Sequence, residues 1–371
     1  MRRLACLLAV GALGGLAAPA LAVPAAEPST AAPAAAAAAP KSPHDWARPA
    51  AARLAAELGW PALARVGLGR AATRGALARA LAAVPTRSLA ERLTLAPPAV
   101  AGDLSAGVTL GAARRAFVRA LGLEEERRAL QSLRTEDGAP LRMPRDAGSE
   151  ILARELGLVP NLPEPLEALE RGAAEPLRYA DLVAMADAAH RIEGWRLWGM
   201  SRYKEIVLPA MDAARRRVVQ AAVSQIGVPY VWGGEWPEAA SPFGPQAVGG
   251  FDCSGLVWWA FSGPPDLRTS GLGDGLGWRT TADRIAFSRT AGARVPLRLT
   301  RAGDLVFFGP KGKRTRRGHV SHVAIALGGG WIVHSSGSRG GPSISHLDDY
   351  WTAGAAFARR PPALAPPAVP A

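Results

Sequence analysis

The period of the apolar positions changes twice along the chain, and those changes divide it. Leu4 to Leu16 is one apolar run interrupted only by glycines. From His44 to about Arg217, apolar residues recur at three- and four-residue spacing in short segments, each stopped by glycine or proline, as in amphipathic helices with marked ends. Ala51–Leu58 stops at Gly59, Thr73–Val84 at Pro85, Thr109–Leu121 at Gly122 and Ile151–Leu156 at Gly157. Val218–Ile226 reads as one more helix, stopped by Gly227 and Pro229. Beyond it the chain turns to glycine, tryptophan and short β-like runs. Leu305–Phe308, His322–Leu327 and Trp331–Ser335 predict strands, with Phe357–Arg359 a last one. Helices first and strands afterwards predict an all-α domain followed by an α+β domain, not a wound parallel sheet.

The chain has 371 residues, nearly half of them apolar, which suits two cores plus tails. Arg2 and Arg3, the run after them and Ala20-Leu21-Ala22 have the layout of a secretory signal peptide ending near residue 22. Residues 23–43 are almost all Ala, Pro, Ser and Thr and read as a linker. A helical domain is expected over 44–205 and the α+β domain over 206–360, with the boundary between Gly194 and Met211. Residues 361–371 form a Pro/Ala-rich tail, expected to be disordered.

The helical stretch contains an internal echo. Thr73-Arg74-Gly75-Ala76-Leu77 recurs loosely as Thr109-Leu110-Gly111-Ala112-Ala113 and again near Leu177-Arg178-Tyr179-Ala180. The arrangement resembles S-layer-homology repeats, which attach exported proteins to cell-wall polysaccharide. A plain helical scaffold is the other reading, since an Ala/Arg/Leu-rich composition produces loose repeats by itself.

Export changes how the charge and the cysteines are read. Removing Arg2 and Arg3 lowers the net charge from +13 to +11, which still favours anionic surroundings such as wall polymers or lipid headgroups. Nucleic acid is not an expected partner of an exported chain. No later stretch reaches the ~18 uninterrupted apolar residues of a membrane span. Cys6 leaves with the signal peptide, so Cys253 stands alone in the mature protein. A lone cysteine in an exported chain is a reactive thiol, half of an intermolecular bridge, or an inert buried hydrophobe.

Its neighbours decide between these. Gly249 and Gly250 loosen the backbone, Asp252 is a good helix N-cap, and Leu256 to Phe261 is apolar on all sides, as in a buried helix. A thiol in the first turn of that helix is expected to have its pKa lowered from ~8.5 toward ~3.5–7.5. Such a nucleophile needs a base, and His319, His322, His334 and His346 are the candidates. In Ser321–Leu327 the strand alternates, with His322, Ala324 and Ala326 on one face and Val323, Ile325 and Leu327 on the other. The small alanines suggest that the Cys253 helix lies over the histidine's face. His319 reads as a loop residue and His190 as structural. After Gly328-Gly329-Gly330 the strand returns with His334, which shares the face of His322 only across an odd-length loop or a bulge. His334 would then hold the imidazole in one tautomer. No Asp, Glu or Cys stands at strand spacing to complete a metal site, and no cofactor is called for.

Five motifs now carry a family resemblance. Val228-Pro229-Tyr230-Val231-Trp232-Gly233-Gly234, Phe251-Asp252-Cys253-Ser254-Gly255-Leu256, Ala302-Gly303-Asp304-Leu305-Val306, Ser321-His322-Val323-Ala324-Ile325 and Val333-His334-Ser335 resemble, in order, the motifs of the NlpC-type cell-wall peptidases. The resemblance covers about residues 215–360. It implies a papain-like α+β fold and hydrolysis of amide bonds in peptidoglycan stem peptides, between D-γ-glutamate and a diamino acid. It implies Cys253 as nucleophile, His322 as base and His334 as the orienting residue. It also implies a Tyr230 hydroxyl near the thiolate, with Asp252 and Ser254 recognising the end of the peptide. Arg279-Thr280-Thr281 resembles the family's structural Arg-Thr segment.

Some features depart from the pattern. Glu235 to Val248 is an insertion, expected to form a lid or groove wall. Lys311-Gly312-Lys313-Arg314-Thr315-Arg316-Arg317 places five cations in seven residues, either a solvated loop or an attractor for anionic wall polymers and stem-peptide carboxylates. Ala324 stands where the family commonly has glycine. The expected protein is a secreted or wall-associated cysteine peptidase. An amidase or acyl transferase of the same fold, and a non-catalytic wall-binding protein, are the alternatives.

Overall fold

A computed structural model describes residues 42–82, 84, 102–242, 244–262 and 280–365. The expected signal peptide, nearly all of the linker, Pro85, Arg279 and the tail after Ala365 lie outside the described residues.

The helical part begins with α1 (Arg48–Glu57), α2 (Arg74–Ala82), α3 (Leu110–Ala120), α4 (Glu124–Gln131) and α5 (Ala147–Glu155). It continues with α6 (Tyr179–His190), α7 (Gly194–Gly199) and α8 (Ala213–Val223). The expected stops are where α1, α3 and α5 end, because Gly59, Gly122 and Gly157 adopt the left-handed conformation that glycine tolerates best. The helices starting near Thr73, Thr109 and Arg178 are tied in a ring. Arg74 N donates to Ala106 O (2.9 Å), Leu110 N to Glu175 O (2.9 Å) and Tyr179 N to Arg70 O (3.0 Å). The next amides repeat the cycle, from Gly75 to Leu104, Gly111 to Ala173 and Ala180 to Leu68. Each helix start thus gives its unpaired N–H groups to a neighbouring unit's turn, which supplies the partners that helix ends lack. The sequence echo marks these three junctions.

Downstream, two short ladders pair β1 (Glu235–Trp236) with β4 (Gly250–Phe251) and β2 (Ala240–Ser241) with β3 (Gly244–Pro245). They lead into α9 (Cys253–Ser262), followed by α10 (Ala282–Phe287). The remaining strands are β5 (Ala293–Val295), β6 (Leu305–Phe308), β7 (His322–Gly328), β8 (Trp331–Ser336), β9 (Gly341–His346) and β10 (Ala355–Arg360). They form an antiparallel sheet in the order β5-β10-β6-β7-β8-β9, with α11 (Asp349–Gly354) before the last strand. The fold is α+β, preceded by helices. Among the described residues no helix is long and apolar enough to cross a membrane.

One face of the sheet, with Phe307, Val323, Ile325, Val333 and Ile344, joins Val257, Ala260 and Phe261 of α9 and the helical part in a continuous apolar core. The other face, with Val306, Ala324, Ala326 and Ile332, is covered by Trp351. The α9 helix therefore does not lie over the face of His322, Ala324 and Ala326 as expected. It covers the branched residues instead, where it buries more apolar surface than an alanine stripe offers. The small face is left to one large indole. Helix α5 is buried along its whole length, packed against α3 and α4 on one side and β9 on the other.

Candidate active site

Cys253 opens α9 and is partly exposed. The preceding Asp252 caps the helix. Its Oδ1 accepts from Gly255 N (2.7 Å) and Ser254 Oγ (2.9 Å), and its Oδ2 accepts from Gly233 N (3.1 Å). This cap needs the chain at Gly234 to pass against the helix start, and a Cβ on Gly255 would run into the Gly234 carbonyl oxygen. Glycine at 255 is thus what lets the Tyr230–Gly234 segment and the helix start meet. Cys253 reaches the sheet at β7, where the Val323 amide N–H is directed to its sulfur.

Val323 follows His322, the first residue of β7. The β7–β8 pairing runs Ile325 to Val333 and Ala326 to Ile332, then shifts by one residue at Gly328. That bulge places His334 on the face of His322. His322 Nε2 and His334 Nδ1 are 2.8 Å apart, and His334 Nε2 is 2.9 Å from Ser345 Oγ on β9. Trp351 stacks on His322 at 5.8 Å between ring centroids and meets His334 edge-on at 4.6 Å. His334 is 1% exposed. With Nε2 engaged by His334, Nδ1 is the His322 nitrogen left for a thiol.

Burial dominates the electrostatics. It pushes the Cys253 thiol up to about 12, helped by the Asp252 carboxylate, against the lowering effect of the Val323, Ser254 and Cys253 amides. It pushes His322 down to about 4 and His334 well below the usual histidine range. The expected depression of the thiol is therefore not found at rest: the helix-start amides act, but desolvation of the charged form and a neighbouring anion outweigh them. At rest the Cys253 thiol and the His322 imidazole are both neutral.

Residues 227–360 match the NlpC/P60 family. Those residues are an NlpC/P60 domain. Peptidoglycan endopeptidase RipB of Mycobacterium tuberculosis is 37% identical over 131 residues, 34% of this chain and 46% of that protein. Murein DD-endopeptidase MepH of Escherichia coli is 32% identical over 159 residues, 43% of this chain and 48% of that protein. The chain thus spans less than half the length of these curated relatives. The crystal structure of the P60 domain of a Mycobacterium avium subspecies paratuberculosis antigen is 32% identical, with a TM-score of 0.29, over 40% of this chain and 93% of that one.

Within the NlpC/P60 domain the other predicted residues fall at different distances from the thiol. Tyr230 is half-buried close enough for Cys253, Asp252 and Glu167 to act on it, and burial first, then these three neighbours, raises its hydroxyl pKa. It stays protonated at any physiological pH. Ser254 is buried, its hydroxyl given to Asp252. His319 is exposed on the loop before β7, and His346 lies against Trp331 with centroids 4.8 Å apart. His190 pairs with Glu57 at 3.5 Å in the helical part. The Glu235–Val248 insertion is organised by Gln246, whose side chain bonds to the backbone of Glu235, Trp236, Glu238 and Val248, and Trp236 packs edge-on against Trp259 of α9. The five cations of residues 311–317 are exposed between β6 and β7, in the loop that leads into His322. Among the described residues no three His, Cys, Asp or Glu side chains gather as a metal site.

Four residues were not found by reading the sequence. Ser345 and Trp351 contact the histidine pair, Glu155 contacts Ser345, and Glu167 accepts from Trp232 N at 2.8 Å. Ser345 lies in a Gly-Pro-Ser-Ile-Ser-His stretch with no strand signature, and both glutamates belong to the helical part. Only the fold brings them here.

Proposed function

We propose that the protein is an exported peptidoglycan hydrolase, a cysteine endopeptidase that cleaves amide bonds in stem peptides at the D-γ-glutamyl–diamino acid link. The observation that carries this reading is the His322–His334 pair, hydrogen-bonded at 2.8 Å at the start of the strand whose Val323 amide meets the Cys253 sulfur. The names of the relatives, peptidoglycan and murein endopeptidases, support the substrate class.

Because the resting pair is neutral, the nucleophile arises during attack. The thiol proton passes to His322 Nδ1 as Cys253 Sγ bonds to the carbonyl carbon, and His334 holds the ring while it is cationic. The carbonyl π electrons move onto oxygen. The backbone N–H groups at the start of α9 and the protonated Tyr230 hydroxyl are the donors for that oxyanion. Collapse breaks the C–N bond as the imidazolium returns its proton to the leaving amine, leaving a thioester on Cys253. Water, deprotonated by His322, then releases the carboxylate and the thiol. We assign recognition of the peptide end to Asp252 and Ser254. The protein works secreted or at the wall, with anionic wall polymers as further partners of the basic loop.

The test is incubation of purified protein and its Cys253→Ala variant with peptidoglycan. Wild type should release stem-peptide fragments carrying a new free amine on the diamino acid, and the variant none. Equal release by both, or wall binding by both without release, would refute the peptidase reading.

A further inference from the structure

The helical part meets the histidine pair at one buried carboxylate. Glu155 is the last residue of α5, where the helix gathers unpaired carbonyls and an anion is electrostatically unfavourable. It is nevertheless 8% exposed, and its Oε1 accepts from Ser345 Oγ (2.6 Å), Arg339 Nε (3.0 Å) and Ser343 Oγ (3.3 Å). Arg196 Nη2 donates to its backbone carbonyl (3.2 Å), and the Tyr203 hydroxyl nearby donates to Ile344 O (3.1 Å).

The directions of these bonds are forced. An ionised carboxylate only accepts, so Ser345 spends its one proton on Glu155. The Ser345 oxygen must then accept from His334 Nε2–H across 2.9 Å. His334 so protonated presents Nδ1 as an acceptor, and His322 fills the 2.8 Å contact with its Nε2–H. Neutral His322 is left with its lone pair on Nδ1, the form that takes a proton from a thiol. Reversal of the Ser345 bond would reverse the rest and put a proton on His322 Nδ1, where it blocks that transfer.

We propose that Glu155 is a positioning residue of the cysteine site, setting through Ser345 the direction of the relay that holds His322 in its proton-accepting tautomer. The helical part thereby completes the site instead of only carrying it. The proposal rests on the peptidase reading above.

Full-length wild type, Glu155→Ala, Glu155→Gln and Ser345→Ala should be compared by imidazole nitrogen NMR and by kinetics on muropeptides. Wild type should show both histidines protonated on Nε2. Glu155→Ala and Ser345→Ala should move His334 toward the Nδ1–H form and lower kcat by roughly 10- to 100-fold with KM within about twofold. Glu155→Gln keeps an accepting oxygen and should retain the tautomers and kcat within about threefold. Ser345→Ala leaves the Glu155 contacts to Arg339 and Ser343 in place, so it decides the matter if Glu155→Ala unfolds. Unchanged tautomers or unchanged kcat in Ser345→Ala would overturn the proposal, as would a Glu155→Gln as impaired as Glu155→Ala. If wild type cleaves no peptidoglycan, the peptidase reading falls while the spectra still judge the relay.

Discussion

Replacing His322 by glutamine should flatten the acid side of the protein's stability curve. Burial holds His322 near pKa 4, while an unfolded histidine titrates near the ordinary 6.5. A base whose folded pKa is depressed binds its proton more readily when unfolded, so its stability contribution is complete above pH 6.5 and drains as pH falls toward 4. One proton per unfolding event corresponds to about 1.4 kcal/mol per pH unit across that window. Glu170 acts oppositely: burial raises it to about 7, so the folded state holds that proton and gains stability as pH falls from 7 to 4.5. His334, also depressed by burial, adds to the His322 slope while Glu170 subtracts from it, and only the difference from the variant isolates His322. Urea titrations at intervals from pH 4.5 to 7.5 should give a wild-type slope steeper than that of His322→Gln by about 1.4 kcal/mol per pH unit. Parallel curves would mean that folded His322 already carries a proton, as in a resting thiolate–imidazolium pair, and would refute the neutral pair.

Arg154→Met should cost about 3–5 kcal/mol in urea unfolding, because the buried guanidinium donates to the carbonyls of Arg339, Gly340 and Val228 and sits 3.5 Å from Glu150. An unchanged midpoint would refute its role as the strut between α5 and the β8–β9 turn. Gly255→Ala should destabilise by about 1–3 kcal/mol and displace the Tyr230–Gly234 segment from the helix start, measured by urea unfolding and by loss of peptidoglycan cleavage. Neutralising Lys311, Lys313, Arg314, Arg316 and Arg317 together should weaken pelleting with peptidoglycan and flatten its salt dependence while leaving the unfolding midpoint within about 0.5 kcal/mol.

Much of the site was legible because its parts are local. Asp252 before an all-apolar run marked a capped, buried helix with Cys253 at its first position, and alternation in Ser321–Leu327 put His322 and Val323 on opposite faces. The strand at Gly341–His346 was not legible, since glycine, proline and serines suppress the strand pattern. Its pairing with β8 along six residues holds it extended instead.

By itself, then, the sequence determined the helices-then-strands order, the helix stops at Gly59, Gly122 and Gly157, and the identity of the thiol and the two histidines, all of which depend on residues close in the chain. Tertiary structure decided which face α9 covers, that burial outweighs the helix-start amides at Cys253, and that Glu155 and Ser345, 190 positions apart, stand 2.6 Å from each other. These outcomes depend on which surfaces exclude water from which charges, and no pattern of neighbours along the chain encodes that.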